Sequence, residues 1–199
     1  MDLEEQFKDY ICIDEAGRGC AAGELVFTGV KVVGDVSFAD DSKKITFKER
    51  EKMLQKILNN VEHCTVITTA EEIDKIGLSA AIKQSLETII SYFPNSNYLY
   101  DGDKTFGVDN PNLETLVKAD AKIKGVGAAS IIAKSTKDKL MLEHHKEFPQ
   151  YSWDTNFGYI TKKHVNAILE YGYTLYHRQS YKIKEIESAR NKETTNVLF

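Results

Sequence analysis

The stretch Tyr10-Ile11-Cys12-Ile13-Asp14-Glu15-Ala16-Gly17-Arg18-Gly19 carries an apolar extended run into two adjacent carboxylates and then into a glycine-rich turn. Two neighbouring like charges at the end of a buried strand resist ionisation, because desolvation and mutual repulsion both oppose it unless a cation neutralises them. A divalent metal is the simplest remedy. Gly17 and Gly19 admit backbone conformations and close ligand approach closed to other residues, and Arg18 offers a fork of donors suited to phosphate oxygens. The stretch reads as a metal site beside a phosphate site.

Downstream, Glu24 to Val33 is β-branched and apolar with partial alternation, which predicts a long strand pairing back on the first. Gly17, Gly19 and Gly23 approach a dinucleotide-binding fingerprint with its last spacing too long by one. That motif needs a helix amino terminus where this sequence offers a strand, so a dinucleotide-binding oxidoreductase is the weaker alternative. Asn97-Tyr98-Leu99-Tyr100-Asp101-Gly102 repeats the opening design, and Leu113 to Asp120 repeats it again. One aspartate after a strand is ordinary turn chemistry. Three strands that each deliver an acid at the carboxyl end are what a sheet-edge metal site needs, since strand ends hold side chains rigidly and close together.

The remaining pattern alternates helices with strands. Thr46 to Glu49 forms a capping-box pattern ahead of Met53, Leu54, Ile57 and Leu58 at helical spacing, with Lys43 and Lys44 in the loop before it. Glu62 to Thr68 reads as a strand. Thr69 to Glu72 opens a helical region whose stripe runs Leu78, Ile82, Leu86, Ile89 and Phe93 until Pro94 closes it. A small-residue helix is predicted from Gly125 to Met141, packing Ala129, Ile132, Ala133, Thr136 and Leu140 inward. Ser130, Lys134, Lys137 and Asp138 fall on another stripe, readable as a solvated face with a Lys134–Asp138 pair or as phosphate contacts. His144 and His145 read as surface residues. Beyond Pro149, aromatic and basic residues interleave from Tyr151 and Trp153 through Tyr159 to His177, Arg178 and Tyr181. That pattern suits sugar and phosphate contacts, and equally a small subdomain with a thin core. From Lys184 on, a helix is expected to fray into a polar tail.

At 199 residues and 42% apolar content the chain has room for one sizeable domain with a small appendage, divided here as residues 1–148 and a helical region 149–199 with its tail. The net charge of -4 argues against coating nucleic acid through bulk electrostatics and leaves room for a local basic track. Cys12, Cys20 and Cys64 are odd in number and scattered, as expected of reduced thiols. A polar amino terminus and no membrane-length apolar run predict a cytoplasmic protein.

Taken in order, Ile13 to Gly19, Asp41-Ser42-Lys43-Lys44-Ile45-Thr46, Tyr100-Asp101-Gly102, Lys118-Ala119-Asp120, Ala128 to Lys134 and Gly158 to Lys162 resemble ribonuclease HII, the bacterial type 2 ribonuclease H family, across about residues 9 to 182. The resemblance implies an α/β RNase H-like fold: a mixed central β-sheet flanked by helices, with a small helical carboxyl-terminal region. It implies hydrolysis of RNA within RNA/DNA hybrids and cutting 5′ of single ribonucleotides embedded in duplex DNA, leaving 3′-hydroxyl and 5′-phosphate ends. Carried over, Asp14, Glu15, Asp101 and Asp120 are the catalytic and metal-binding quartet for two Mg2+ or Mn2+ ions. Gly17, Arg18 and Gly19 clasp the ribose 2′-hydroxyl and its phosphate, Lys43 holds the backbone, and Tyr159 stacks under the sugar at the RNA-to-DNA junction. Cys20 departs from the family's usual proline, and Phe157-Gly158-Tyr159-Ile160 from a usual Lys-Gly-Tyr-Gly. A monomer without membrane association is expected, and the terminal Leu198-Phe199 resembles short bacterial sliding-clamp-binding peptides. A catalytically silent hybrid-binding module is the remaining alternative, and the intact acid set speaks against it.

Overall fold

In the computed structural model the apolar run of the opening stretch folds as β1 (Ile11–Ala16), and the β-branched run after the glycines folds as β2 (Leu25–Val32). The structure describes residues 2–39 and 46–188; Lys43, Lys44 and Leu198-Phe199 lie outside the described residues. β1 and β2 pair antiparallel with Asp14 opposite Thr28, so a strand follows Gly23 and no helix amino terminus stands there to receive a pyrophosphate. β3 (Val61–Thr68), β4 (Tyr98–Tyr100) and β5 (Leu113–Thr115) complete a sheet of order β3-β2-β1-β4-β5. β4 runs parallel to both β1 and β5, which makes the sheet mixed.

Alternation along β1 builds two core layers. Cys12 faces one side, where Val30 and Leu99 meet α2 (Phe47–Leu58) and α5 (Lys124–Glu147) through Leu54, Ile57, Ala128 and Ile132. Ile11 and Ile13 face the other, against α3 (Ala70–Ile76) and α4 (Leu78–Tyr92) through Ile73, Ile82, Leu86 and Ile89. Thr46 caps α2 with the reciprocal Glu49 bond the sequence predicted. The helical region opened by Thr69 is two helices, because Gly77 at φ +83° breaks it.

Two other expectations change. β5 stops at Thr115, and Asp120 sits instead on a single 3-10 turn, Ala119–Ala121, entered through Lys118 in the left-handed region at φ 58°. The third acid is thus delivered by a turn, not by a strand end. The polar stripe of α5 is not a solvated face, since Lys137 and Asp138 are buried. Lys137 stands four residues from both Ala133 and Met141, which are buried too, so helical period alone carries it inward.

Before the sheet, α1 (Leu3–Phe7) is capped by Asp2. After it, α6 (Trp153–Asn156) and α7 (Lys162–Tyr171) enclose a third core of Tyr151, Trp153, Val165, Ile168, Ile183 and Ile186 resting on Ala21, Ala22 and Met141. Most of the interleaved aromatics therefore pack as a thin core. His144, read as a surface residue, is half-buried: Glu24 lies 2.7 Å from its Nε2, and Tyr176 stacks on its ring at 3.8 Å. Among the described residues no helix is long and apolar enough to cross a membrane.

α5 approaches the sheet closely because Gly125 has no side chain; a Cβ there would lie 2.6 Å from Cys12 Sγ. Gly125→Ala is expected to cost about 1–3 kcal/mol by overpacking, read as a lowered melting temperature. Cys12→Ala in the same chain should recover part of that loss.

Candidate active site

The parallel pairing of β1 with β4 brings both strands to an end at one edge of the sheet, with Ile13 opposite Tyr100 and the Asp101 N–H donating to Ile13 O at 3.0 Å. Asp14 and Asp101 therefore emerge side by side, at the carboxyl ends of parallel strands where open α/β sheets form their ligand crevices. The turn after β5 closes the set, since the Asp120 N–H donates to Asp101 Oδ2 at 3.3 Å. Asp14, Asp101 and Asp120 each offer a carboxylate oxygen, all within 4.8 Å of one another. Asp14 and Asp120 are buried and Asp101 is half-buried.

Such crowding resists ionisation. Burial pushes the Asp14 carboxyl well above its usual range, and the charges of Glu15 and Asp101 add to the rise; the Ser130 hydroxyl and the Glu15 N–H, 2.8 Å away, pull it back. Burial likewise raises Asp101, with Asp120 adding to it and the N–H groups of Asp120 and Ala119 opposing. A buried all-oxygen donor set short of positive charge fits a hard divalent cation and does not fit soft-metal chemistry.

Glu15 lies outside that 4.8 Å group but close enough that its charge is the largest acting on Asp14. The strand pleat turns it away from Asp14, and it lies in the cleft wall 3.7 Å from Arg18 Nη1. The Tyr100 phenol next to it is pushed up by burial and then by the Glu15 charge.

The acids line an open cleft of about 520 Å³ together with Gly17, Arg18, Gly19, Lys134 and Tyr159. Gly17 is obligatory: its φ is +91° and a Cβ would lie 2.4 Å from Glu24 O. At Gly19 a Cβ would meet nothing within 4 Å, so that position faces open space. Tyr159 reaches the same cleft because its segment is stitched to the glycine turn. Cys20 and Tyr159 form an isolated antiparallel bridge, and the Ala21 N–H donates to Gly158 O at 2.8 Å. The Tyr159 ring is 39% exposed, with Lys137 Nζ 4.5 Å and Lys134 Nζ 5.1 Å from its centroid. Lys43, the remaining substrate-binding expectation, lies outside the described residues.

Two buried polar groups lie behind Tyr159; the Lys134–Asp138 pair of the first is expected from the i,i+4 spacing, but its burial and its extra partners are not, and the second is wholly unforeseen. In the first, Asp138 takes ion pairs from Arg50, from Lys134 at 2.7 Å and from Lys137 at 3.3 Å, while Lys137 also donates to Phe157 O. One acid against three cations leaves this wall of the cleft electropositive. Burial holds Lys134 below the ordinary lysine range, with Lys137 contributing and Asp138 opposing. In the second, the Trp153 indole donates to His164 Nε2 at 3.0 Å, which puts the His164 proton on Nδ1, 3.0 Å from Tyr159 O. The Thr174 N–H donates to His177 Nδ1 at 2.9 Å, so the His177 proton sits on Nε2, facing His164 Nε2 at 3.2 Å. Both imidazoles are neutral. Burial lowers both, His177 to about 3 with His164 adding to the effect.

A mixed five-stranded sheet of this order, with acids gathered at its parallel edge, defines an RNase H-like fold with a carboxylate site suited to a divalent cation. The ribonuclease HII family model matches residues 11–184. Ribonuclease HII from Sulfurovum sp. (strain NBC37-1) is 39% identical over 185 residues, covering 93% of this chain and 97% of that protein. Ribonuclease HII from Helicobacter pylori (strain P12) is 38% identical over 187 residues, 86% of this chain and 90% of that protein. The chain belongs to the ribonuclease HII family and is a type 2 ribonuclease H. Solved structures share the fold at lower identity. The RNase HII of a PCNA complex from Archaeoglobus fulgidus aligns with a TM-score of 0.74 at 23% identity, covering 88% of this chain and 96% of that one. Bst-RNase HIII in complex with Mn2+ aligns with a TM-score of 0.66 at 15% identity, covering 89% and 69%.

The neutral histidine pair gives a pH dependence. A histidine whose folded-state pKa lies below its unfolded value of about 6.5 contributes stability that is complete above that pH and is lost as the pH falls toward the folded value. The histidine contribution therefore falls from pH 7 to pH 5, each histidine adding a slope of up to about 1.4 kcal/mol per pH unit. The raised Asp14 and Asp101 carboxyls act in the opposite sense, so the test compares the urea midpoints of the parent and of His177→Gln across that range. His177→Gln should flatten that slope.

Proposed function

We propose that Asp14, Glu15, Asp101 and Asp120 are the catalytic acids of an endoribonuclease that hydrolyses the RNA strand of RNA/DNA hybrids. We also propose that it cuts 5′ of single ribonucleotides embedded in duplex DNA, leaving 3′-hydroxyl and 5′-phosphate ends, with magnesium or manganese as its cofactor. The observation that carries this reading is one cleft holding the aspartate trio, the open face of Gly19 and the Tyr159 ring together. When bound, divalent cations supply Lewis-acid charge neutralisation and a lowered water pKa.

Each chain group then has a task set by its surroundings. Asp14, Glu15, Asp101 and Asp120 hold the cations, and Glu15 also orients the Arg18 guanidinium. Arg18 and Lys134 face the phosphate oxygens, with Arg18 able to form a two-pronged contact. Gly17 and Gly19 admit the ribose at close range. A deoxyribose at that place removes the hydroxyl partner and leaves polar groups unpaired, the kind of loss on which strong discrimination rests. Tyr159, backed by two ammonium groups, offers a fixed ring face for a sugar. Lys43 is proposed to grip the backbone.

The deciding experiment incubates the protein with a labelled DNA duplex containing one ribonucleotide, in magnesium, in manganese or with a chelator. Cutting 5′ of the ribonucleotide in metal and none in chelator is expected. Asp101→Asn should abolish turnover and leave hybrid affinity largely intact; near-normal cleavage at saturating magnesium would falsify its assignment. Tyr159→Ala should slow cutting at single ribonucleotides more than cutting of long hybrids, and equal losses on both would count against its junction role.

A further inference from the structure

The Gly17–Gly19 turn is gripped from behind by a side chain 160 residues away. Arg178 is fully buried, and its guanidinium is spent on backbone carbonyls and a phenol. Nε and Nη2 both donate to Gly23 O, at 3.0 and 2.9 Å. Nη1 donates to Arg18 O at 3.2 Å and to Tyr181 Oη at 2.9 Å. Tyr181 passes its own proton to the same Arg18 O, also at 2.9 Å. Both sides of the turn are thus tied to one cation. The segment carrying it is itself anchored: the Arg178 N–H donates to Ala21 O at 2.8 Å, and the Asp74 carboxylate of α3 accepts from the Gln179 and Ser180 N–H groups at 2.7 and 3.0 Å.

Burying a guanidinium is costly, and hydrophobic packing would fill the same volume at less expense. What packing would not supply is direction. The Arg18 carbonyl and the Gly19 N–H belong to one trans peptide plane and point opposite ways. Two donors drawing that carbonyl inward turn the Gly19 N–H outward, at the position where a Cβ would meet nothing within 4 Å. Among the described residues the Gly19 N–H donates to no backbone carbonyl.

We propose that Arg178 and Tyr181 are positioning residues for substrate recognition: by holding the Arg18 carbonyl they aim the Gly19 N–H into the cleft, toward the ribose of the scissile nucleotide. The inference rests on the reading that this turn receives the ribose, and it assigns the aim of the turn to two residues that touch no substrate.

The test uses Tyr181→Phe, which keeps the ring and deletes the hydroxyl, in the full chain. Affinities for two DNA duplexes, one with a single ribonucleotide and one all-deoxy, are measured by fluorescence anisotropy in chelator. Gly19→Ala, whose added methyl meets no protein atom, is the control on the reading itself. Tyr181→Phe is expected to shrink the ribose-over-deoxyribose preference roughly tenfold, the scale of one lost buried hydrogen bond, with a melting temperature near that of the parent. Its effect should be less than additive with that of Gly19→Ala, because both act on one peptide. Arg178→Lys should keep more of the preference than Arg178→Met. If Gly19→Ala lowers the preference and Tyr181→Phe leaves it intact, or weakens both duplexes equally, the positioning role is overturned. If Gly19→Ala changes nothing, the reading that the turn holds ribose fails instead.

Discussion

Three carboxylates held within 4.8 Å of one another are the constraint to which the rest of the fold answers. Left alone they repel, and burial adds a desolvation cost to the repulsion. The chain holds them together by covalent and hydrogen-bonded geometry: the parallel register of β1 with β4, and a 3-10 turn clamped to Asp101 by a backbone N–H. The energy for this comes from the two apolar layers on either side of the sheet, where Cys12 and Ile13, the two residues before the first acid, are nearly and wholly buried. The site is a strained edge supported by an unstrained interior, and a divalent cation is the complement that relieves it.

Opposite the acids stands a wall of the other sign. Asp138 neutralises only part of the charge of Arg50, Lys134 and Lys137, and two of those ammonium groups lie against the ring of Tyr159. The overall charge of -4 conceals this local asymmetry. Lys134 is the member of that group that reaches the cleft, while Arg50 and Lys137 act from within as a buried positive field.

The sequence made the sheet legible wherever local pattern and burial agree. β1 follows from an apolar run, β2 from a β-branched run with partial alternation and β3 from Val66-Ile67 within a short extended stretch, and the caps of α2 and α3 follow from threonine and glutamate three residues apart. Asp14 and Asp101 were legible as strand-end acids because adjacent chemistry, a glycine after each, marked the chain turning away. Asp120 was found by motif order, though the element beneath it is a turn. The buried Lys137 was within reach of periodic reasoning, since its spacing from Ala133 and Met141 places it inside; its charge argued otherwise and misled. Arg50, His164 and Arg178 were beyond such reasoning, because their partners lie in segments whose proximity only the tertiary fold creates.

The bridge between Cys20 and Tyr159, and the guanidinium reaching Arg18 from position 178, join the first strand's turn to segments far along the chain. Contacts this distant in sequence form only after most of the chain has left the ribosome. The acids themselves span residues 14 to 120, but the edge that holds them is backed by α5 (Lys124–Glu147), and the glycine turn beside them is held by residues out to 181. The cleft is therefore complete only once segments 160 or more residues apart in the chain have met.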